Sequence, residues 1–248
     1  MNYRKGWLSL LFTAIFLILA GFVVVNAFKP VLQNTQKANQ QSNSSNKNDF
    51  ESQFPVVDCN APESTDPGKK ARRRAVGAKY DKASLPIDPS SEQITHINEG
   101  EPLTALPVKT SSVVLIGKVT DAEAVLSNDH TGVYSEFTVR VEEVLKSDGQ
   151  PPFIGGETVT LERLGGRVRF PSGHITLSMV TGTGMPRVGK RYAFFLVRNP
   201  QDFSLYIHTG YELTGGRAFP LDTSSQHPTK AYKGLEEAKL LKDLRAEV

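Results

Sequence analysis

The sequence predicts a mainly β protein built on a small antiparallel barrel, and three observations predict it. The stretch Val133 to Ser147, VYSEFTVRVEEVLKS, alternates apolar and polar residues with period two, the pattern of a strand with one buried face. Further strand-like runs follow before and after it, five or six in all, with turn residues between them. No helical stretch separates these runs, which excludes the strand–helix alternation of a parallel α/β sheet.

The chain opens with a segment of another kind. After Arg4 and Lys5, residues Leu8 to Val25 form an apolar run interrupted only by Ser9, Thr13 and Gly21. A helix from Trp7 to Phe28 would span roughly 33 Å at 1.5 Å per residue, enough to cross a hydrocarbon core of about 30 Å. Residues 1–29 are therefore expected to be a single-pass membrane anchor, with the two cations holding the N-terminus in the cytoplasm and the rest of the chain outside it. The alternative is a cleaved signal sequence ending at Ala27, since Val25-Asn26-Ala27 carries small residues where a signal peptidase cuts, which would leave the remainder secreted or periplasmic.

Residues 30–90 read as a flexible linker. The part from Gln33 to Phe50 is almost entirely Gln, Asn, Ser and Lys, too poor in apolar surface to offset the entropy of ordering it. The run Lys69-Lys70-Ala71-Arg72-Arg73-Arg74 reads as solvated linker, with attraction to anionic lipid headgroups or wall polymers as the functional alternative. The single cysteine, Cys59, excludes an intrachain disulfide.

The barrel domain is expected over residues 91–222. Its first strand runs from Ser112 to Val125, where VVLIGKV is apolar on both faces and so central, with Gly117 marking a bulge or sharp coil. The loop Ser127 to Gly132 turns the chain; Asp129 and His130 suit a metal less well than they suit turn chemistry. In the organising strand Val133, Phe137, Val139 and Val141 face one way, and Tyr134, Glu136, Thr138, Arg140 and Glu142 the other. At Glu142-Glu143 the phase slips, predicting a bulge. Glu157 to Arg163 is a third strand with Val159 and Leu161 inward. Short strands follow at Arg167 to Phe170 and His174 to Val180, around the turn Pro171-Ser172-Gly173. Lys190 to Arg198, KRYAFFLVR, is buried on both faces, Phe203 to His208 pairs back, and YELTGGRAFPLD forms an edge segment. The tail, residues 223–248, ends in an amphipathic helix with Leu235, Ala238, Leu241 and Leu244 near one face.

The succession VVLIGKV, EFTVRVEEVLKS, ETVTLERLGG, MPRVGKRYAFFLV and YELTGGRAFPLD resembles a family of uncharacterised exported bacterial proteins with a single OB-fold-like barrel, similar to netrin-type and metalloproteinase-inhibitor domains. The resemblance covers residues 111 to 222 and implies a fold and export, not an activity. Inhibitors of that fold work through an N-terminal cysteine amine and are braced by disulfides; this chain has neither.

Charge narrows the function. Residues 91–222 carry 12 basic and 15 acidic side chains, a net charge of −3, so the domain lacks the electrostatic footprint of a nucleic-acid binder. Thr181-Gly-Thr-Gly184 is followed by Met185-Pro186 rather than by a helix, so it is no phosphate cradle. No cofactor is implied. The leading expectation is a non-enzymatic binding module, held at the cell membrane through residues 7–28, that takes a protein or polymer of the cell envelope. Its candidate contact residues are Arg163, Arg167, Arg169, His174, Tyr206 and Tyr211, against the plainer reading that the arginines are a solvated rim pairing with Glu157 and Glu162. Two alternatives belong to other classes: a hydrolase using Ser172 or Ser178 with His174, and single-stranded nucleic-acid binding by fold analogy alone.

Overall fold

The computed structural model describes residues 52–97, 104–149, 155–223 and 231–248. The expected membrane anchor over residues 1–29 and the first part of the linker lie outside the described residues. No helix among the described residues is long and apolar enough to cross a membrane. In chain order the elements are β1 (Val56–Asp58), α1 (Pro67–Gly77), β2 (Gln93–Ile97), β3 (Val113–Leu126), β4 (Val133–Lys146), β5 (Thr158–Leu164), β6 (Gly166–Arg169), β7 (Ile175–Val180), β8 (Arg191–Arg198), β9 (Leu205–Thr214), β10 (Arg217–Pro220), β11 (Leu235–Glu236) and α2 (Glu237–Glu247).

Five strands close into a ring. β3 pairs with β4 and β4 with β5, both antiparallel; β5 pairs with β9 in parallel; β9 returns antiparallel to β8, and β8 antiparallel to β3. The central apolar strand and the organising alternating strand thus supply its longest ladder. The expected phase slip is a bulge: Ile116 faces Glu143 and Gly117 faces Val141, leaving Glu142 as the extra residue. Gly117 sits where the bulged strand presses inward, and a Cβ there would lie 2.5 Å from Val139 Cγ1 and 2.9 Å from the Arg140 carbonyl oxygen. β10 and β11 extend the sheet beyond β9.

The alternation sorts the apolar residues onto two sides of the wall. Val113, Leu115, Val119, Phe137, Val139, Leu161, Phe194, Leu196 and Ile207 fill the inside. Leu177 and Met179 of β7 join that core, so the second sheet, ordered β1-β6-β7-β2, packs against the barrel. Val114, Ile116, Ala193, Phe195 and Tyr211 form a second cluster on the other side of the wall, where Leu240 and Leu244 of α2 cover them. β8 is buried on both faces, as its sequence predicts.

Three expectations need correction. Residues 52–90 are not a tether: β1 pairs in parallel with β6, α1 is a three-turn helix, and the compact unit runs from Ser52 to Val248 rather than from 91 to 222. The basic run is helical because Asp66 caps it, accepting from the Lys69 N–H at 2.7 Å, with Pro67 in the first turn and good helix formers after it. Finally, the segments read separately as Phe203 to His208 and Tyr211 onward are one strand, β9, which Gly215 and Gly216, both at positive φ, turn into β10.

Candidate functional site

β3, β4 and β5 carry a row of three glutamates across their outer face. Glu123 lies directly opposite Glu136, and Glu136 directly opposite Glu162. Like charges at facing positions destabilise a sheet unless something neutralises them. Helix α1 does so. Lys69, Arg72, Arg73 and Val76 recur at i, i+3, i+4 and i+7, one face of the helix. Lys69 donates to both oxygens of Glu123 at 2.6 and 2.9 Å. Arg73 bridges the row, its Nε donating to Glu136 at 2.8 Å and its Nη2 to Glu123, while Arg72 adds a 3.1 Å contact to Glu136. Past the helix, in the 3-10 turn Ala78–Tyr80, Lys79 pairs with Glu162 and lies 3.2 Å from Asp202. Tyr80 stacks on Tyr134 of β4, ring centroids 4.9 Å apart.

The three carboxylates are not equivalent. At Glu123 burial pushes the carboxyl up, but hydrogen bonds from Lys69 and Arg73 outweigh it and hold the group below the usual carboxylate range. At Glu162 burial wins over the Lys79 and Ser204 contacts and raises it. Its Oε1 takes Lys79 and, at 3.2 Å, Ser204; its buried Oε2 makes no hydrogen bond among the described residues. A cavity of about 450 Å³ opens here, lined by Glu136, Glu162, Thr158, Thr160, Asp202 and Phe203. Phe203 is 59% exposed and takes a left-handed backbone, φ +59°, in the turn between β8 and β9, where its N–H donates to the Asn199 carbonyl.

No family model and no curated protein matches the chain.

The residues singled out in the sequence are scattered. Arg163 is 1% exposed, on the inward side of β5, with its Nη2 donating to Asp222 at 2.6 Å. The same Asp222 oxygen accepts from Gly184 N–H, so this pair ties the segment after β10 to the barrel. Tyr211 is wholly buried and donates to the Ala105 carbonyl at 2.6 Å. Arg167 and Arg169 lie on β6, in the other sheet, and Arg169 pairs with Asp58 at 3.2 Å rather than with Glu157 or Glu162. His174 is in the turn leading into β7. Only Tyr206 reaches the acidic row, beside Glu162 in the β5–β9 register. The Ser172 hydroxyl donates to Asp88 at 2.6 Å, and the contact between Ser172 and His174 is a 3.4 Å bond from the His174 backbone N–H, not from its ring. Asp129 closes its turn by accepting from Thr131, Lys82 and Ser127, which hold its carboxyl far below the usual range. No group of three or more His, Cys, Asp or Glu among the described residues is arranged to hold a metal ion.

The sequence reading missed Glu123, Glu136, Glu162, Lys69, Arg72, Arg73, Lys79 and Phe203. On alternation alone Glu136 and Glu162 fall on the outer face of β4 and β5, yet they are 5% and 4% exposed because the strap of residues 67–80 lies over them. The available signal was the spacing of the cations behind an Asp-Pro helix start.

Proposed function

We propose that the chain is a non-enzymatic binding module of the OB type, anchored to the cell membrane through residues 7–28 with its barrel outside the cytoplasm, and that its ligand is cationic. OB barrels bind on the face of their second and third strands and on the adjoining loops. β4 and β5 are the second and third strands of this ring, and the turn bearing Asp202 and Phe203 joins its fourth and fifth. The observation that carries the reading is Glu162: a buried carboxylate with an unsatisfied oxygen, facing a cavity that an exposed aromatic ring also lines. A buried acceptor without a donor costs free energy until something satisfies it, and an ammonium or guanidinium group does so best. The net charge of −3 over residues 91–222 argues against nucleic acid.

Spermidine and the neutral sugar maltotriose, added separately to the full chain in nonionic detergent, test this reading. Spermidine should raise the thermal midpoint of the wild-type chain, and Glu162→Gln should abolish the rise, while maltotriose leaves both unchanged. No rise with spermidine, or an equal rise in Glu162→Gln, contradicts it. Alkaline phosphatase fused after Ser90 should be active; an inactive fusion overturns the topology.

A further inference from the structure

We infer that helix α1 and the 3-10 turn after it are an exchangeable occupant of the acidic row, and that the row's partner is a lysine- and arginine-rich helical segment of another protein. The inference rests on the reading of the β3–β4–β5 face as the binding surface, and names what that surface takes.

The chain itself displays the fit. Strands lie about 4.8 Å apart, so the row from Glu123 to Glu162 spans roughly 10 Å. The helix face from Lys69 to Val76 rises about 10.5 Å. The helix meets the first two carboxylates, Lys69 on Glu123 and Arg73 on both Glu123 and Glu136, and the 3-10 turn that follows carries Lys79 to Glu162. Cations at i, i+3 and i+4 and another near i+10 come together in one helical polypeptide, whereas a small amine meets only part of the row.

The occupant is also held in a way that permits exchange. Within α1 only Val76 and Gly77 are buried, so its hold on the barrel is mainly ionic, joined by the Tyr80–Tyr134 stack and by two hydrogen bonds to its backbone, from Asn128 Nδ2 to the Arg74 carbonyl at 2.9 Å and from the Tyr134 hydroxyl to the Arg73 carbonyl at 3.4 Å. Both ends of the strap are fastened elsewhere: β1 upstream pairs with β6, and β2 downstream pairs with β7. Lifting the strap breaks the bonds of Asp81 and Lys82 to Asp129 and of the Leu85 N–H to the Thr131 carbonyl, all at the β3–β4 turn, but opens no barrel ladder. Once lifted, it leaves three facing carboxylates that favour recapture of a cationic helix, whether their own or a partner's.

A fluorescein-labelled peptide of residues 64–82 serves as the probe. Binding is measured to the full chain in nonionic detergent and to an opened variant, Lys69→Ser/Arg72→Ser/Arg73→Ser/Lys79→Ser. The opened variant should bind the peptide at least tenfold more tightly than wild type, and Glu136→Gln on that background should weaken binding at least tenfold. Equal binding by wild type and the opened variant, or binding indifferent to Glu136→Gln, overturns the inference. So does absence of binding by an opened variant that keeps its β-type far-UV spectrum. Should the opened variant lose that spectrum, hydrogen exchange of the wild-type chain decides: excess unlabelled peptide should speed exchange in residues 67–80, and no change overturns the proposal. A spermidine response confined to chains with Glu162, together with failure of the peptide, removes this inference and leaves the binding face standing. Failure of both removes both.

Discussion

Helices α1 and α2 cover different parts of the same barrel wall by opposite means. α2 sets Leu240 and Leu244, both wholly buried, against Val114, Ile116, Ala193 and Phe195. α1 sets Lys69, Arg72 and Arg73 against Glu123 and Glu136 and buries a single large apolar residue, Val76. Full burial of a leucine stabilises by about 1.5–3 kcal/mol and is indifferent to salt. Ion pairs whose partners remain partly in water, as Lys69 and Glu123 do, contribute about 0.2–1 kcal/mol each and are screened. Buried Glu136 gains more from Arg73 but loses more on leaving water, so the net contribution of that pair stays small. The α2 side of the wall is thus part of the core, whereas the α1 side is a cover.

The comparison can be broken most severely on the α2 side. Leu244→Ala should destabilise the chain by about 2–5 kcal/mol in urea unfolding, by the same amount in 0.05 and 0.5 M NaCl. A cost under about 1 kcal/mol would place α2 with α1 as a mere cover. On the other side, Glu123→Gln should cost about 0.5–1 kcal/mol at low salt and almost nothing at 0.5 M NaCl. A salt-independent cost of leucine size there would make α1 core.

A smaller effect sharpens the account through pH. Glu123 has a lowered folded pKa, so its contribution is present above the unfolded value and is lost as pH falls through the folded one. Glu162 has a raised folded pKa, so its contribution is present below the unfolded value and is lost as pH rises through the folded one. Glu123→Gln should therefore flatten the acid side of the stability profile, and Glu162→Gln the rise-linked loss above the usual carboxylate range. Urea midpoints taken from pH 3 to 8 check this; identical profiles for wild type and Glu162→Gln would mean that the Glu162 carboxylate is not held in a desolvated site.

The sequence announces one kind of contact and conceals the other. Apolar packing writes a period into neighbouring residues, so β3, β4 and β8 and even the bulge at Glu142 were legible. The ring closure was less so, because the parallel β5–β9 pair joins residues far apart in the chain. Arg163 shares its parity with Val159 and Leu161, and that alternation already placed it inward; reading it as a surface residue set charge above register. Helix α1 has almost no apolar face to announce, only a cap and a cation spacing. The barrel carboxylates it meets lie 50 to 64 residues away, so their match appears only once the strands set the glutamates side by side.

The most direct measurement is hydrogen exchange of the full chain in nonionic detergent as NaCl rises from 0.05 to 1 M. Residues 67–80 should lose protection steeply with salt, while residues 237–247 and strand β8 keep theirs. Protection of residues 67–80 that ignores salt, or that falls only together with β8, would contradict the account.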